Sequence, residues 1–142
     1  MHRIGVNAMT QGLPRSVIEP KNPRLNASRN AKLPHVPGIC VGDYIFLSGM
    51  TPIDPQTGER NHGPIAEQVR TTLANMQHML GSAGSSLDRL VQVHALIYDS
   101  IEYDVLNRVY RQYVANGPPA RTVWTAQIEA GFKIELDVIA AA

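Results

Sequence analysis

The sequence is poor in cysteine and in aromatic residues, and its net charge is close to zero. Cys40 is the only cysteine among 142 residues, which excludes an intramolecular disulfide and favours a reducing, cytoplasmic location. Lys and Arg number 13 against 12 Asp and Glu, a formal net charge of +1. This balance argues against nucleic acid as a partner, because phosphate binding needs a basic surface. No apolar run reaches the roughly 18 residues of a membrane span, so no membrane partner is expected.

The common catalytic and metal-binding motifs are also absent. The chain has no GxxxxGK[ST], HExxH, GxSxG, CxxC or GxGxxG, which argues against most nucleotide, zinc and serine-hydrolase sites. Its histidines are scattered, without a pair at ligand spacing: His2, His35, His62, His78 and His94. We therefore expect neither a metal nor a cofactor.

The first 32 residues differ in character from the rest of the chain. They contain six Lys and Arg against a single acid, Glu19, and they show no sustained period of 2 or 3.6. Pro14, Pro20 and Pro23 would interrupt a helix in this region. We predict an extended or partly disordered arm at residues 1–32, followed by a single domain at residues 33–142.

Two later stretches have the pattern of helices. The first begins at Pro64, which suits a first helical turn, and ends near Gly81, which suits a C-cap. The second begins near Asp99, which has capping-box spacing to Glu102. Each predicted helix has one apolar stripe. The stripes are Ile65, Val69, Leu73, Met76 and Leu80 in the first helix, and Leu106, Val109, Tyr110 and Tyr113 in the second.

The remaining apolar runs predict strands. Gly42 and Asp43 lie between two such runs, which is typical of a tight hairpin. The run LVQVHALIY alternates between two faces, and two more strands close the chain, from Arg121 to about Ile128 and from Phe132 to Ile139. The short connection between these two predicts an antiparallel hairpin. We predict an α+β domain whose mostly antiparallel sheet has both helices packed on one face.

One arginine and two carboxylates stand out near the end of the chain. Arg121 follows a Pro-Pro pair at the start of a strand, and Glu135 and Asp137 share the face of the next strand that points away from the core. A guanidinium can bind a carboxylate through two parallel hydrogen bonds, and a positioned carboxylate can act as a general acid and base. A solvated sheet face would have the same pattern, so both interpretations remain open at this point.

Four segments of the chain resemble the Rid (YjgF) family. They are FLSGMTPIDPQTGE, AEQVRTTLANMQHMLGSAGSSLDRLVQVHALI, YDVLNRVYRQYV and PPARTVWTAQIEAGFKIELDVIA. They are similar to that family's SGQxPxDPxTGE, to its first helix with AGxSLxDVV, to NxVYxxYF and to PARxxVxVxxLPxxxxVEIExIA. The segments follow the family's order over roughly residues 35 to 140. The arm before His35 is not covered by the resemblance.

This resemblance implies a chorismate-mutase-like α+β fold and a homotrimer with sites in the clefts between subunits. It implies a cofactor-free hydrolysis of reactive 2-imino acids and enamines to 2-keto acids and ammonia. The partner is then a small imine or enamine that carries a carboxylate. By the same resemblance, Arg121 binds that carboxylate, Glu135 assists the attacking water and Gly49 donates a backbone amide.

Three residues depart from the family's pattern. His35 stands where a tyrosine or phenylalanine commonly lines the site, Met50 replaces the glutamine of SGQ, and Val123 replaces a frequent cysteine or threonine. We place all three in the substrate site and expect carboxylate recognition to persist, while the identity of the substrate stays open.

Asn107 and Tyr110 match family residues on the second helix, where capping, packing or interface roles are expected.

One alternative function is catabolic deamination of a larger unsaturated substrate, of the aminomuconate or aminoacrylate type. The other is a non-enzymatic, trimeric binding or chaperone-like protein.

Overall fold

The computed structural model describes residues 14–142, which form a six-stranded sheet in the order β1-β2-β3-β6-β4-β5 with helices on one face. The strands are β1 (Arg15–Val17), β2 (Gly38–Val41), β3 (Tyr44–Met50), β4 (Leu90–Ile97), β5 (Ala120–Thr125) and β6 (Ile134–Ala141). The helices are α1 (Ala27–Asn30), α2 (Ile65–Ser82) and α3 (Tyr103–Tyr113). Short 3-10 turns lie at Pro23–Leu25, Leu87–Arg89, Ser100–Glu102 and Glu129–Gly131.

The pairing of the last two strands differs from the prediction. The predicted hairpin between β5 and β6 is wrong, because β6 lies between β3 and β4 and is antiparallel to both. Strand β5 instead pairs in parallel with β4, at the edge of the sheet. Parallel neighbours need a crossover connection, and α3 provides it between β4 and β5. The other four pairings are antiparallel, so the expected α+β fold with a mostly antiparallel sheet is confirmed.

The core lies between the sheet and the two long helices. The predicted apolar stripe of α2 is confirmed: Val69, Leu73, Met76 and Leu80 are 0% exposed and Ile65 is 7% exposed. Alternate residues of β6, from Ile134 to Ala140, complete this core from the sheet side. The opposite face of the sheet is open, and it includes apolar side chains that are 42–49% exposed, at Phe46, Tyr44 and Trp124.

Part of the segment assigned to the arm packs against the domain. Strand β1 is antiparallel to β2, and Ile18 continues this pairing by donating from its backbone N to the carbonyl of Gly38 at 3.0 Å. Ile18 and Leu25 are buried in the core. The segment therefore extends the sheet by one edge strand, and its three-residue length gave no periodic signal in the sequence. Residues 1–13 of the predicted arm lie outside the described residues.

Within residues 14–142, no helix is both long enough and apolar enough to cross a bilayer.

Candidate functional site

Arg121 lies on the helix-covered side of the sheet, at the edge strand. It stands opposite Val93 of β4, which is buried in the core, and paired residues point to the same face. Its Nη2 donates a hydrogen bond of 2.7 Å to Oδ1 of Asn107. Its guanidinium also lies 4.7 Å from the ring centroid of Tyr110 and 5.9 Å from that of Tyr103. The guanidinium is thus held by an amide and by the faces of two aromatic rings.

Helix α3 brings these three partners to one side because of their spacing. Residues 103, 107 and 110 are separated by four and three positions, which places them on one stripe of a helix. That stripe faces the start of β5. Burial raises the pKa of Tyr110, and the charge of Arg121 partly opposes this increase. The Tyr110 hydroxyl has no hydrogen-bond partner within the described residues.

The guanidinium of Arg121 forms no ion pair with a carboxylate of residues 14–142. It borders an open cleft of ≈ 450 Å³ that Asn107, Tyr110 and Pro118 also line. An arginine has five N–H donors in a planar fork, so donors remain for a ligand after the bond to Asn107. Val123 lies two residues further along the same face, opposite Ala95.

Glu135 belongs to the other face of the sheet. It stands opposite Leu96 of β4, and its neighbours Ile134 and Leu136 point into the core. Gly49 lies beside it, at the irregular end of β3 where the pairing with β6 shifts. A Cβ atom on Gly49 would fall 1.9 Å from Oε1 of Glu135. Only glycine therefore leaves room for the carboxylate in this position.

The surroundings of Glu135 favour its protonated form. Burial raises the pKa of its carboxyl, and the negative charges of Asp137 and Glu129 raise it further. Asp137 follows on the same face, where its Oδ1 lies 2.9 Å from Nδ1 of His94. A carboxyl whose pKa is raised can exchange a proton nearer to neutral pH than an ordinary glutamate.

The two other predicted site residues lie near Gly49. His35 is exposed and borders a small cavity of ≈ 40 Å³ together with Ser48 and Gly49. Met50 also borders this cavity, but it stands opposite Leu136 and is only 8% exposed, so most of its side chain packs in the core. His35 therefore lies on the same side of the sheet edge as Gly49, and Met50 forms part of the wall of the small cavity.

One chain does not bring Arg121 and Glu135 together. The sequence suggested that both lie on paired strands, but β4 separates β5 from β6 and the two side chains point to opposite faces. The candidate site is therefore divided into two halves. The arginine half contains Arg121, Asn107, Tyr110 and Val123, and the carboxylate half contains Glu135, Gly49 and His35.

The sequence reasoning missed the contact between Asn107 and Arg121. It assigned Asn107 to capping, packing or interface duty, whereas the amide accepts a hydrogen bond from the guanidinium. The available signal was the match of Asn107 and Tyr110 to NxVYxxYF. Within residues 14–142, no three His, Cys, Asp or Glu side chains come close enough together to hold a metal ion.

The chain is similar to known proteins both in sequence and in structure. A RutC family protein of Pyrococcus abyssi is 36% identical over 108 residues, which cover 75% of this chain and 85% of that protein. Human 2-iminobutanoate/2-iminopropanoate deaminase is 30% identical over 108 residues, covering 75% of this chain and 79% of the human protein. A solved structure from Yersinia pestis, a protein of unknown function of the conserved Rid family, superposes with a TM-score of 0.83 at 29% identity. The superposition covers 91% of this chain and 100% of the Yersinia pestis chain.

The family described as Endoribonuclease L-PSP matches residues 26–142, and thus includes both halves of the candidate site. The chain belongs to this family, which is the Rid (YjgF) family.

Proposed function

We propose that this protein hydrolyses small 2-imino acids and their enamine tautomers to 2-keto acids and ammonia, without a cofactor. One observation carries the proposal. Arg121 is held by Asn107 and by the ring of Tyr110, and it has no carboxylate partner within residues 14–142. A guanidinium held in this way is prepared for a carboxylate ligand. The deaminase name of the human relative agrees with this assignment.

The proposed site forms between subunits of a homotrimer. The arginine half of one protomer would face the carboxylate half of the next, because the two halves lie on opposite faces of one sheet. The open sheet face supports such an assembly. Its exposed apolar side chains, Phe46 and Trp124 among them, are of the kind that subunit interfaces cover.

In the proposed reaction, Arg121 holds the substrate carboxylate while water attacks the carbon of the C=N bond. Glu135 accepts a proton from the water, and the imine nitrogen takes up a proton from solvent, which gives a carbinolamine. The C–N bond then breaks, the hydroxyl releases its proton to solvent as it becomes the carbonyl of the 2-keto acid, and the nitrogen leaves as ammonia. Glu135 returns its proton during this second stage. Its raised pKa suits a group that must both accept and return a proton near neutral pH.

The family description also names an endoribonuclease, which this chain supports less well. Its formal net charge is only +1, whereas RNA binding draws on a positive surface. Two carboxylates, Glu135 and Asp137, lie side by side on the open face. They would repel a phosphate backbone, whereas the guanidinium of Arg121, held by Asn107 and Tyr110, suits a small carboxylate.

The decisive experiment measures the loss of 2-iminobutanoate, generated in situ by an amino-acid oxidase, with and without the purified protein. We expect acceleration by the parent. We expect none from Arg121→Ala, which should also lose calorimetric binding of 2-oxobutanoate. Glu135→Gln should keep that binding and lose about 10²- to 10⁴-fold in rate, the range of a general acid–base group. Equal rates with and without parent protein, for small and for aromatic 2-imino acids, would exclude the activity.

The proposed assembly has its own test, which is light scattering under the conditions of the rate assay. We expect a mass about three times that of the 15.6 kDa chain. A monomer that is active would exclude a site formed between subunits.

A further inference from the structure

A histidine–aspartate pair lies beside Glu135 on the open face of the sheet. His94 of β4 stands directly opposite Asp137 of β6, and Nδ1 of His94 lies 2.9 Å from Oδ1 of Asp137. Both side chains are partly exposed, at 30% for His94 and 42% for Asp137. The ring of Trp124 packs against His94 with a centroid separation of 5.2 Å and an interplanar angle of 56°. The roles assigned so far do not use this pair.

The pair is close enough to Glu135 to influence it. Asp137 and Glu135 are two positions apart on β6, so their side chains share one face at a spacing of about 7 Å. We propose that His94 and Asp137 act as positioning residues for Glu135: Asp137 sets a negative charge beside it, and His94 controls how much of that charge Glu135 experiences. This inference rests on the proposed role of Glu135 as the acid–base group.

Among residues 14–142, the other charged groups near Glu135 are few, and none of them contacts Asp137 as His94 does. Immediately before β6, the Nζ of Lys133 lies 3.2 Å from Oε1 of Glu102 and is committed to that carboxylate. In the turn before β6, Glu129 adds a second negative charge. Uncharged residues face Glu135 from the neighbouring strands. They are Gly49 on β3 and Leu96 on β4, and Thr122 and Trp124 of β5 lie on the same face beyond β4. His35 lies on the Gly49 side of the carboxylate half, whereas His94 contacts Asp137 directly and is the group placed to cancel its charge.

The direction of the effect follows from charge. The charge of Asp137 contributes to the raised pKa of Glu135. Histidine changes its charge between about pH 5 and 8. When the imidazole of His94 gains a proton, it forms an ion pair with Asp137 and reduces the charge acting on Glu135. Glu135 therefore keeps its ionised, proton-accepting form to lower pH than it would with Asp137 alone.

Removing Asp137 and removing His94 should shift the titration of Glu135 in opposite directions. Asp137→Asn removes the negative charge, so Glu135 should titrate at lower pH. Its ionisation constant should rise about two- to threefold, the effect of one unit charge about 7 Å away in water. His94→Gln leaves Asp137 uncancelled, so Glu135 should titrate at higher pH, by a smaller amount because His94 is the more distant group. The double variant should titrate between the parent and Asp137→Asn, because the two opposite shifts differ in size.

The experiment is a pH titration of glutamate side-chain carboxyls by ¹³C NMR on the full chain, with the Glu135 signal assigned from Glu135→Gln. Asp43→Asn is the matched control. Asp43 is an exposed acid beside Tyr44, which pairs with Ala141 at the far end of β6.

Opposite shifts in the two single variants, with no shift in Asp43→Asn, would establish the inference. Shifts in the same direction, or no shift beyond the control, would overturn it. The pH dependence of imine loss, with the protein-free rate subtracted at each pH, should follow the same order. If the NMR order holds but the parent hydrolyses no imine, the proposed function fails while the coupling stands. If the parent hydrolyses imines but the NMR order fails, only this inference is wrong.

Discussion

Arg121 and Glu135 lie on opposite faces of one sheet, on strands that β4 separates. Arg121 faces α3, where Asn107 and Tyr110 hold it, whereas Glu135 faces the open side next to Gly49. A small 2-imino acid bound by Arg121 would therefore lie on the other side of the sheet from Glu135 of the same protomer. The proposed chemistry therefore depends on how two copies of the chain meet.

This division predicts complementation between two inactive variants. Arg121→Ala retains an intact carboxylate half, and Glu135→Gln retains an intact arginine half. When the two proteins are unfolded, mixed in equal amounts and refolded together, about a quarter of the sites should combine two intact halves, as expected for random assembly of identical interfaces. Imine hydrolysis should recover to about that fraction of the parental rate.

The control for complementation is each variant refolded alone, which should stay inactive. Formation of mixed assemblies can be checked with an affinity tag on one variant only. If tagged and untagged chains assemble together and no activity returns, the site is not formed from halves of two different protomers.

Asn107 should contribute to substrate binding through Arg121. Its Oδ1 accepts a 2.7 Å hydrogen bond from the guanidinium, and a hydrogen bond to a charged group contributes about 1.5–3 kcal/mol. We expect Asn107→Ala to weaken binding of 2-oxobutanoate by about 10- to 100-fold. Its effect on imine hydrolysis should appear mostly as a higher KM. Asn107→Asp should weaken it further, because the new carboxylate competes for the guanidinium. Binding as tight as that of the parent in Asn107→Asp would contradict this role.

Local patterns in the sequence predicted the elements whose folding depends on near neighbours. The stripe of α2 follows from the spacing of Ile65, Val69 and Leu73, and the β2–β3 hairpin follows from Gly42, which adopts a positive φ of 55°. Glycine accepts that conformation without a steric penalty. The resemblance to the Rid family also identified Arg121 and Glu135 as candidate site residues.

The order of the strands could not be predicted in the same way. A short connection between β5 and β6 favours a hairpin locally, but the two-sided pairing of β6 with β3 and β4 depends on contacts far apart in sequence. The contact between Arg121 and Asn107 likewise joins α3 to β5, and a periodic pattern within either element does not indicate it. Strand β1 was missed because three residues are too few to show alternation.

Gly49 should accept a side chain only if the carboxylate of Glu135 moves. A Cβ atom there would fall 1.9 Å from Oε1 of Glu135, so Gly49→Ala must displace the carboxylate. We expect a loss of turnover of about 10-fold or more, within the contribution of an acid–base group, with 2-oxobutanoate binding to Arg121 largely retained. Gly81→Ala is the matched control, since nothing lies within 4 Å of its added Cβ on α2. It should keep full activity, and an unchanged rate in Gly49→Ala would exclude the proposed position of Glu135.

The raised pKa of Glu135 also predicts how stability depends on pH. Because burial raises the pKa of this carboxyl above its ordinary value, the native state holds the proton more tightly than the unfolded chain does. Between the ordinary pKa and the raised native pKa, the native state binds more protons, so the free energy of unfolding falls as pH increases. Ionised Glu135 therefore destabilises the fold at neutral pH, and this penalty disappears once both states are protonated in acid.

Glu135→Gln should remove that penalty while keeping the shape of the side chain. We expect the variant to unfold at a higher urea concentration than the parent at pH 7, and the two midpoints to converge as pH falls below the ordinary pKa of glutamate. Glu67→Gln, at an exposed position in the first turn of α2, is a control that should not show the same convergence. The measurement is a series of urea titrations from neutral to acidic pH, with the fluorescence of Trp124 as the signal. A Glu135→Gln variant that is less stable than the parent at pH 7 would mean that ionised Glu135 gains more from its partners than it loses by burial.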